Sequence, residues 1–138
     1  MQDAFPSTGG QDPSIPPVPA DLRIVFCTFP DAETAGLVCN GIISGNHAAC
    51  VNLIPAVESI YRWQGKIEQA HEVLAIFKVP SAGYLAFQRV LLEMHPYDTP
   101  EILAVTPDQV SEGYLQWILM DRTPSAGPPD EVGIESIS

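Results

Sequence analysis

The chain has 138 residues, of which 46% are hydrophobic, so we expect a single domain with a sizeable core. Its formal net charge is −11, from 17 acidic and 6 basic residues. Because lysine and arginine bind phosphate backbones and anionic membrane surfaces, this charge argues against nucleic-acid and membrane partners and favours cations. Solubility alone also explains an acidic surface.

The two ends of the chain differ in composition from its middle. Residues 1–20 hold five of the 14 prolines, and residues 122–138 are rich in proline, glycine, serine and acidic residues. Segments of this kind bury too little apolar surface to offset the entropy of ordering. We therefore predict disordered tails at 1–20 and 122–138, and one folded domain at 21–121.

Targeting signals and cysteines bear on the compartment. No run approaches the ~18 apolar residues of a membrane span, and the first residues lack the basic and apolar regions of a secretory signal. The three cysteines match no disulfide framework, and free thiols suit a reducing compartment. The sequence therefore predicts a cytoplasmic protein, or a mature form from which a targeting segment was removed.

The first half of the domain has the pattern strand, helix, strand. A short apolar run at 22–28 predicts the first strand, and 32–45 predicts a helix that Asp31 caps. A long second strand is predicted over 48–63. Pro55 lies within it, and because proline donates no ladder hydrogen bond, it indicates a sheet edge or a bulge.

The second strand leads into a long hairpin. A glycine-bearing turn at Gln64 and Gly65 joins it to a third strand over 66–79, between aromatic and β-branched runs. Strands of this length extend beyond a domain of about one hundred residues. Because unpaired strand edges are prone to association, the hairpin predicts an oligomer.

The remaining elements complete a known pattern. A second helix is predicted over 84–94, ended by Pro96, followed by a fourth strand over 101–106. Residues 111–119 predict a short helix or an extended segment. The order β-α-β-β-α-β with a C-terminal helical segment predicts an α+β, ferredoxin-like fold with a long hairpin between its second and third strands.

Short blocks spread along the domain resemble the CutA family of divalent-cation tolerance proteins. The blocks are Cys27-Thr28, Pro30-Asp31, 48–52, Ile54-Pro55, 58–61, 63–68, Glu72-Val73, His95-Pro96-Tyr97, 99–102 and 114–118. The resemblance covers nearly all of the predicted domain. It implies a subunit similar to the PII signalling fold, a homotrimer formed by pairing the hairpins, and an association with copper and other divalent metals. No enzymatic activity is well established for the family, and we predict no organic cofactor.

Three side chains are the candidate metal ligands. Cys27 and Cys50 are expected on neighbouring strands, and thiolates are soft ligands that suit Cu(I), or zinc with nitrogen partners. His95 at the end of the second helix offers an imidazole, the commonest metal ligand. The alternatives are small buried thiols and a histidine that stabilises a helix dipole. Cys39, on the first helix, is expected to be a core residue.

A second candidate site is the cleft between subunits that the resemblance implies. Carboxylates near the hairpin are suited to a hard cation, although period-two spacing equally predicts pairing across a trimer seam. The expected lining residues are Glu58, Tyr61, Trp63, Lys66, His95 and Tyr97.

Two hypotheses of function follow, together with an expectation about catalysis. The first is a copper-binding protein of cation tolerance, whose partners are metal ions and copies of itself. The alternative is a PII-like trimeric sensor that binds a small molecule in the intersubunit cleft. The sequence has no recognisable Ser-His-Asp set, phosphate loop or HExxH motif, so we expect no enzymatic activity.

Overall fold

The structure is a computed structural model that describes residues 21–120. The predicted tails lie outside this range. The elements are β1 (Leu22–Phe29), α1 (Ala32–Ser44), β2 (Cys50–Trp63), β3 (Lys66–Pro80), α2 (Tyr84–Met94), β4 (Leu103–Val105) and α3 (Glu112–Leu119). The predicted α+β, ferredoxin-like fold is confirmed, and the C-terminal segment is a helix. Within 21–120, no helix has the length and apolar character needed to cross a membrane.

The four strands form one antiparallel sheet in the order β2-β3-β1-β4. The pairing of β1 with β3 runs from Leu22 opposite Pro80 to Phe29 opposite Val73. The strand β4 has only three residues and is shorter than the predicted 101–106. Pro100 and Pro107 lie on either side of β4. Because proline lacks a backbone N–H, they limit how far the hydrogen-bond ladder extends.

The helix α1 begins where the sequence predicts. The Thr34 backbone N–H donates to the Asp31 side chain at 2.7 Å, which satisfies one of the donors left open at a helix start. The helix ends at Ser44, and Asn46 beyond it has a left-handed φ of 62°. Its inner face carries Ala35, Val38, Cys39 and Ile42.

The core lies between the sheet and the helices α1 and α2. Alternate residues of β1 and β3 are buried, as expected for strands with one covered face. Phe87 of α2 is fully buried and meets Phe77 of β3 edge-on, with ring centroids 5.0 Å apart. A smaller cluster of Leu22, Ala49 and Ile118 anchors α3.

The bulge that Pro55 predicts is present in β2. The register against β3 shifts between Ile54 and Val57, so β2 carries one extra residue at this point. Ala56 takes a φ of 61° there, a region that favours glycine because Cβ crowds the backbone. The strand β2 is also at an edge of the sheet, which confirms both parts of the expectation.

The hairpin of β2 and β3 extends beyond the rest of the sheet. Its pairing continues from Val57 to the turn, past the point where β1 ends at Phe29. Both turn residues have positive φ, 50° and 80°, as a two-residue hairpin turn requires. Ile60, Trp63 and Ile67 on this extension are 61%, 58% and 68% exposed. This apolar exposure is the structural basis for expecting a partner.

Replacing Ala56 with glycine tests the strain in the bulge. Ala56→Gly removes the Cβ from a left-handed position, so we expect stabilisation by about 1 kcal/mol. Ala70→Gly, on regular strand in β3, is the control and is expected to destabilise by roughly 0.5–1 kcal/mol. Urea unfolding at fixed protein concentration measures both. A loss of stability in Ala56→Gly as large as in the control contradicts the strain.

Candidate functional site

His95 is the only buried polar residue among those described, and both of its ring nitrogens are hydrogen-bonded. Nδ1 accepts from the Tyr97 backbone N–H at 3.1 Å, and Nε2 lies 2.8 Å from the Thr28 carbonyl oxygen. Because Nδ1 accepts, the proton of the neutral ring is assigned to Nε2, which donates to Thr28. The ring also stacks on Phe29, with centroids 4.6 Å apart.

Burial also sets the protonation of this imidazole. Desolvation lowers the pKa of His95 below its usual 6.5, and it outweighs the hydrogen bond to Thr28 and the Glu72 charge, which act in the opposite direction. The ring is therefore neutral at physiological pH.

The Cys27 thiol also contacts the Thr28 carbonyl oxygen. The Cys27 Sγ lies 3.8 Å from the oxygen that accepts from His95. The thiol of Cys27 on β1 and the imidazole of His95 at the end of α2 therefore share one hydrogen-bond acceptor, the Thr28 carbonyl oxygen.

A carboxylate extends the network to the hairpin. The Tyr97 hydroxyl donates to Glu72 Oε2 at 2.6 Å, and the Ser59 hydroxyl donates to Glu72 Oε1 at 2.7 Å. Burial, followed by this hydrogen bond to a carboxylate, raises the pKa of Tyr97 above its usual value, so the phenol remains a donor. We refer to Cys27, Thr28, Ser59, Glu72, His95 and Tyr97 as the Glu72 cluster.

The expectation that Cys27 and Cys50 lie on neighbouring strands is wrong. The strand β3 lies between β1 and β2, with Cys27 opposite Ala75 and Cys50 opposite Lys78. Because residues three apart on a strand point to opposite faces, the two thiols lie on opposite faces of the sheet. The Cys50 Sγ lies 3.5 Å from the Tyr114 hydroxyl of α3 instead. The reason is topological, since the α1 crossover leaves room for β3 beside β1.

The two core thiols are protonated at neutral pH. Burial, with smaller contributions from Cys39, Glu101 and Glu72, raises the pKa of Cys27 to about 12. Burial raises the pKa of Cys39 to about 11. Neither side chain is a thiolate until something replaces its proton.

The hairpin residues expected to line the cleft do not all lie on one face of the hairpin. Tyr61 interacts electrostatically with Tyr97 and so lies near the Glu72 cluster. Trp63 pairs with Lys66 at the hairpin end, on the same face as Tyr61. Glu58 is three positions from Tyr61, so it points from the opposite face of the hairpin.

Glu72 and Ser59 are not among the site residues predicted from the sequence. Glu72 opens the nearly apolar run of β3 at 72–77, and a carboxylate beside a buried strand needs hydrogen-bond donors. A charged residue at the start of an apolar run is therefore the sequence feature that points to Glu72. Ser59 has no such feature, because only the hairpin register brings it to Glu72, thirteen residues away.

The cluster is not arranged as a metal site in this structure. Within residues 21–120, no group of three or more histidine, cysteine or acidic side chains is placed to hold a metal ion. His95 uses both nitrogens, and Cys27 keeps its proton. Metal binding here therefore requires a proton or a hydrogen bond to be given up.

The strand order and the long β2-β3 hairpin define a ferredoxin-like subunit with an extended hairpin. The profile of the family described as "CutA1 divalent ion tolerance protein" matches residues 23–121. The chain belongs to this family.

Relatives of similar sequence carry the same name. "Divalent-cation tolerance protein CutA" of Pectobacterium atrosepticum is 37% identical over 71% of this chain and 89% of its own length. "Protein CutA" of Mus musculus is 36% identical over 79% of this chain. The match spans only 66% of that protein and 56% of its Homo sapiens counterpart.

Solved structures agree with the fold. CutA from Xylella fastidiosa matches with a TM-score of 0.70 and 35% identity, over 72% of this chain and 95% of that one. CutA1 from Shewanella sp. SIB1 matches with a TM-score of 0.69 and 38% identity, over 71% and 92%.

The burial of His95 predicts a pH dependence of stability. Because folding lowers its pKa, the folded state favours the neutral ring, and this contribution is present above pH 6.5. It is lost as the pH falls from about 6.5 through the folded-state pKa. Urea unfolding between pH 8 and pH 5 is expected to show a steeper loss for the natural protein than for His95→Gln. The control is His71→Gln, at an exposed position on β3. Equal pH profiles for the natural protein and His95→Gln contradict this role.

Proposed function

We propose that this protein binds copper as a non-enzymatic component of divalent-cation tolerance, and that the Glu72 cluster supplies the ligands. One observation carries the proposal. Cys27 and His95 lie around one carbonyl oxygen, in a network that includes the Glu72 carboxylate. Thiolate and imidazole are the ligands that copper ions favour among protein side chains.

The electrostatics around Cys27 favour a cation. The carboxylates of Glu72 and Glu101 oppose a bare thiolate there, which contributes to its raised pKa. The same negative charges attract a metal ion that would replace the thiol proton. Because each ligating thiol must lose its proton, copper affinity is expected to rise with pH.

Cys50 is not part of this proposed ligand set. It lies on the opposite face of the sheet from Cys27 and contacts Tyr114. The proposed site therefore differs from the set of Cys27, Cys50 and His95 expected from the sequence.

Copper titration of the reduced, metal-free protein tests the site. We expect stoichiometric binding, a loss of affinity of more than about 10-fold in Cys27→Ser, and a smaller loss in Glu72→Gln. Cys50→Ser is the matched control and is expected to keep the natural affinity, because its thiol is on the other face. Isothermal calorimetry at pH 6.5 and pH 8 measures the affinities and their pH dependence.

Two results contradict the proposed site. If Cys27→Ser keeps the copper affinity of the natural protein and Cys50→Ser loses it, the copper site lies on the other face of the sheet. Absence of stoichiometric binding removes the copper function and favours the alternative below.

We further propose a homotrimer formed through the extended hairpin. Its support is the apolar exposure of Ile60, Trp63 and Ile67, together with the edge position of β2.

Light scattering tests the assembly. The natural protein is expected at three times its chain mass of 14.9 kDa. Ile67→Asp is expected to lower this mass, because it places a charge in the proposed contact. The control is Leu85→Asp, at a 75% exposed position on α2. A monomer or dimer of the natural protein contradicts the trimer.

The alternative function is a PII-like sensor for a small molecule in the intersubunit cleft. The observation that favours it is the exposed surface of Tyr61, Trp63 and Lys66 on one face of the hairpin, next to Tyr97. Aromatic rings and a cation in one patch suit a flat or anionic ligand. Such a ligand is expected to bind equally well to Cys27→Ser, which separates this function from copper binding.

A further inference from the structure

The helix α3 contacts the sheet on the face opposite to the one that α1 and α2 cover. Its polar contact is with Cys50 of β2, whose Sγ lies 3.5 Å from the Tyr114 hydroxyl. Tyr114 in turn stacks on Trp117, with ring centroids 6.0 Å apart and ring planes 18° apart. The buried contact of α3 is the small cluster of Leu22, Ala49 and Ile118. The attachment of α3 to the sheet therefore includes a thiol.

Cys50 differs from the other two cysteines in its accessibility. Cys27 and Cys39 are buried in the core, whereas Cys50 is half-buried. Tyr114 beside it is 40% exposed, so solvent reaches both members of the contact. Thiol–disulfide exchange requires a disulfide to approach the attacking sulfur directly. Cys50 is therefore the thiol of this protein that a dissolved disulfide reaches without unfolding of the core.

A lysine gives the surroundings of Cys50 a positive charge. Lys78 of β3 lies directly opposite Cys50 in the register of β2 and β3. Residues paired in this way have Cβ atoms about 4.5–5.5 Å apart. The Lys78 ammonium donates to the side-chain carbonyl of Asn52, two residues further along β2 on the same face. Because the whole chain carries a net charge of −11, this lysine is a local exception that favours an anionic reagent.

We propose that Cys50 and Tyr114 form a redox-sensitive switch, in which exchange of Cys50 with an anionic low-molecular-weight disulfide, such as glutathione disulfide, releases α3 from the sheet. The Cys50 thiolate attacks one sulfur of the reagent, so that a new S–S bond to Cys50 forms and the S–S bond of the reagent breaks. The departing thiolate takes up the proton that Cys50 gave up. Cys50 is oxidised and half of the reagent is reduced, so the disulfide is the only oxidant required.

The adduct acts on α3 through Tyr114. The added sulfur is bonded about 2 Å from Sγ and carries a peptide. The Tyr114 hydroxyl already lies 3.5 Å from the same Sγ, so the adduct and the phenol ring compete for the same surface. Displacement of Tyr114 breaks its stacking on Trp117. Reduction of the mixed disulfide restores the thiol, which makes the switch reversible.

Mass spectrometry of the reduced, metal-free full chain after incubation with glutathione disulfide tests the site. We expect one adduct per chain, mapped to Cys50 by peptide analysis, and none at Cys27 or Cys39 until the protein is unfolded. Cys50→Ser is expected to form no adduct in the folded state.

Reaction rates test the preference for an anionic reagent. Lys78→Gln is expected to react roughly 2–5-fold more slowly with glutathione disulfide, as the loss of one exposed charge pair predicts. The same variant is expected to react faster with the cationic disulfide cystamine. Arg89→Gln is the matched control, because it makes the same change of charge at an exposed position on α2 and is expected to keep the natural rates.

The fluorescence of Trp117 tests the release of α3. Trp63→Phe leaves Trp117 as the single tryptophan, because the chain has two. The adduct is expected to shift the emission of Trp117 to longer wavelength as its ring moves into water, and dithiothreitol is expected to restore it. The control combines Trp63→Phe with Cys50→Ser and is expected to show no shift under the same treatment.

Each part of the inference has a result that overturns it. Absence of an adduct in the folded protein, or reaction at Cys27 or Cys39 instead of Cys50, overturns the site. An adduct at Cys50 that leaves the Trp117 emission unchanged overturns the switch. Equal rates in Lys78→Gln, Arg89→Gln and the natural protein overturn the preference for an anionic disulfide. These results are independent of the copper titration, because Cys50 is outside the proposed ligand set.

Discussion

The antiparallel pairing of β1 with β3 is the constraint on which the rest of this protein depends. It begins with Leu22 opposite Pro80 and stops at Phe29 opposite Val73. The buried face of these two strands receives α1 and α2 and forms the core. Because β1 ends while β3 continues, the hairpin extends beyond the sheet with its apolar side chains exposed. Glu72 lies one residue past that point, which is why its carboxylate, at the margin of the sheet, accepts hydrogen bonds from two other segments, through Ser59 of β2 and Tyr97 after α2.

Burial determines the chemistry of the Glu72 cluster more than residue type does. Desolvation keeps His95 neutral and Cys27 protonated, although both types ligate metals in other settings. Their polar atoms are satisfied by backbone partners, as buried groups require. The proposed copper ion would therefore compete with protons and hydrogen bonds at these atoms, and the pH dependence of its affinity would measure that competition.

The exposed hairpin and the Glu72 cluster both result from the pairing of β2 with β3 beyond the end of β1. Ser59 and Glu72 belong to the base of the hairpin, while Trp63 lies at its far end. A contact that orders the hairpin would also hold the Glu72 carboxylate against Tyr97. In the proposed trimer, the paired strands of the hairpin would therefore couple assembly to copper binding at the Glu72 cluster.

The sequence by itself determined the local structure. Period-two and helical patterns, the Asp31 cap and the Pro55 bulge follow from backbone chemistry within a few residues, and the bounds of α2 were predicted without error. Only the tertiary structure decided which segments meet. The strand β3 separates Cys27 from Cys50, and Glu72 joins a network with residues distant in sequence. Strand order and burial depend on contacts across the whole domain, and no local pattern records them.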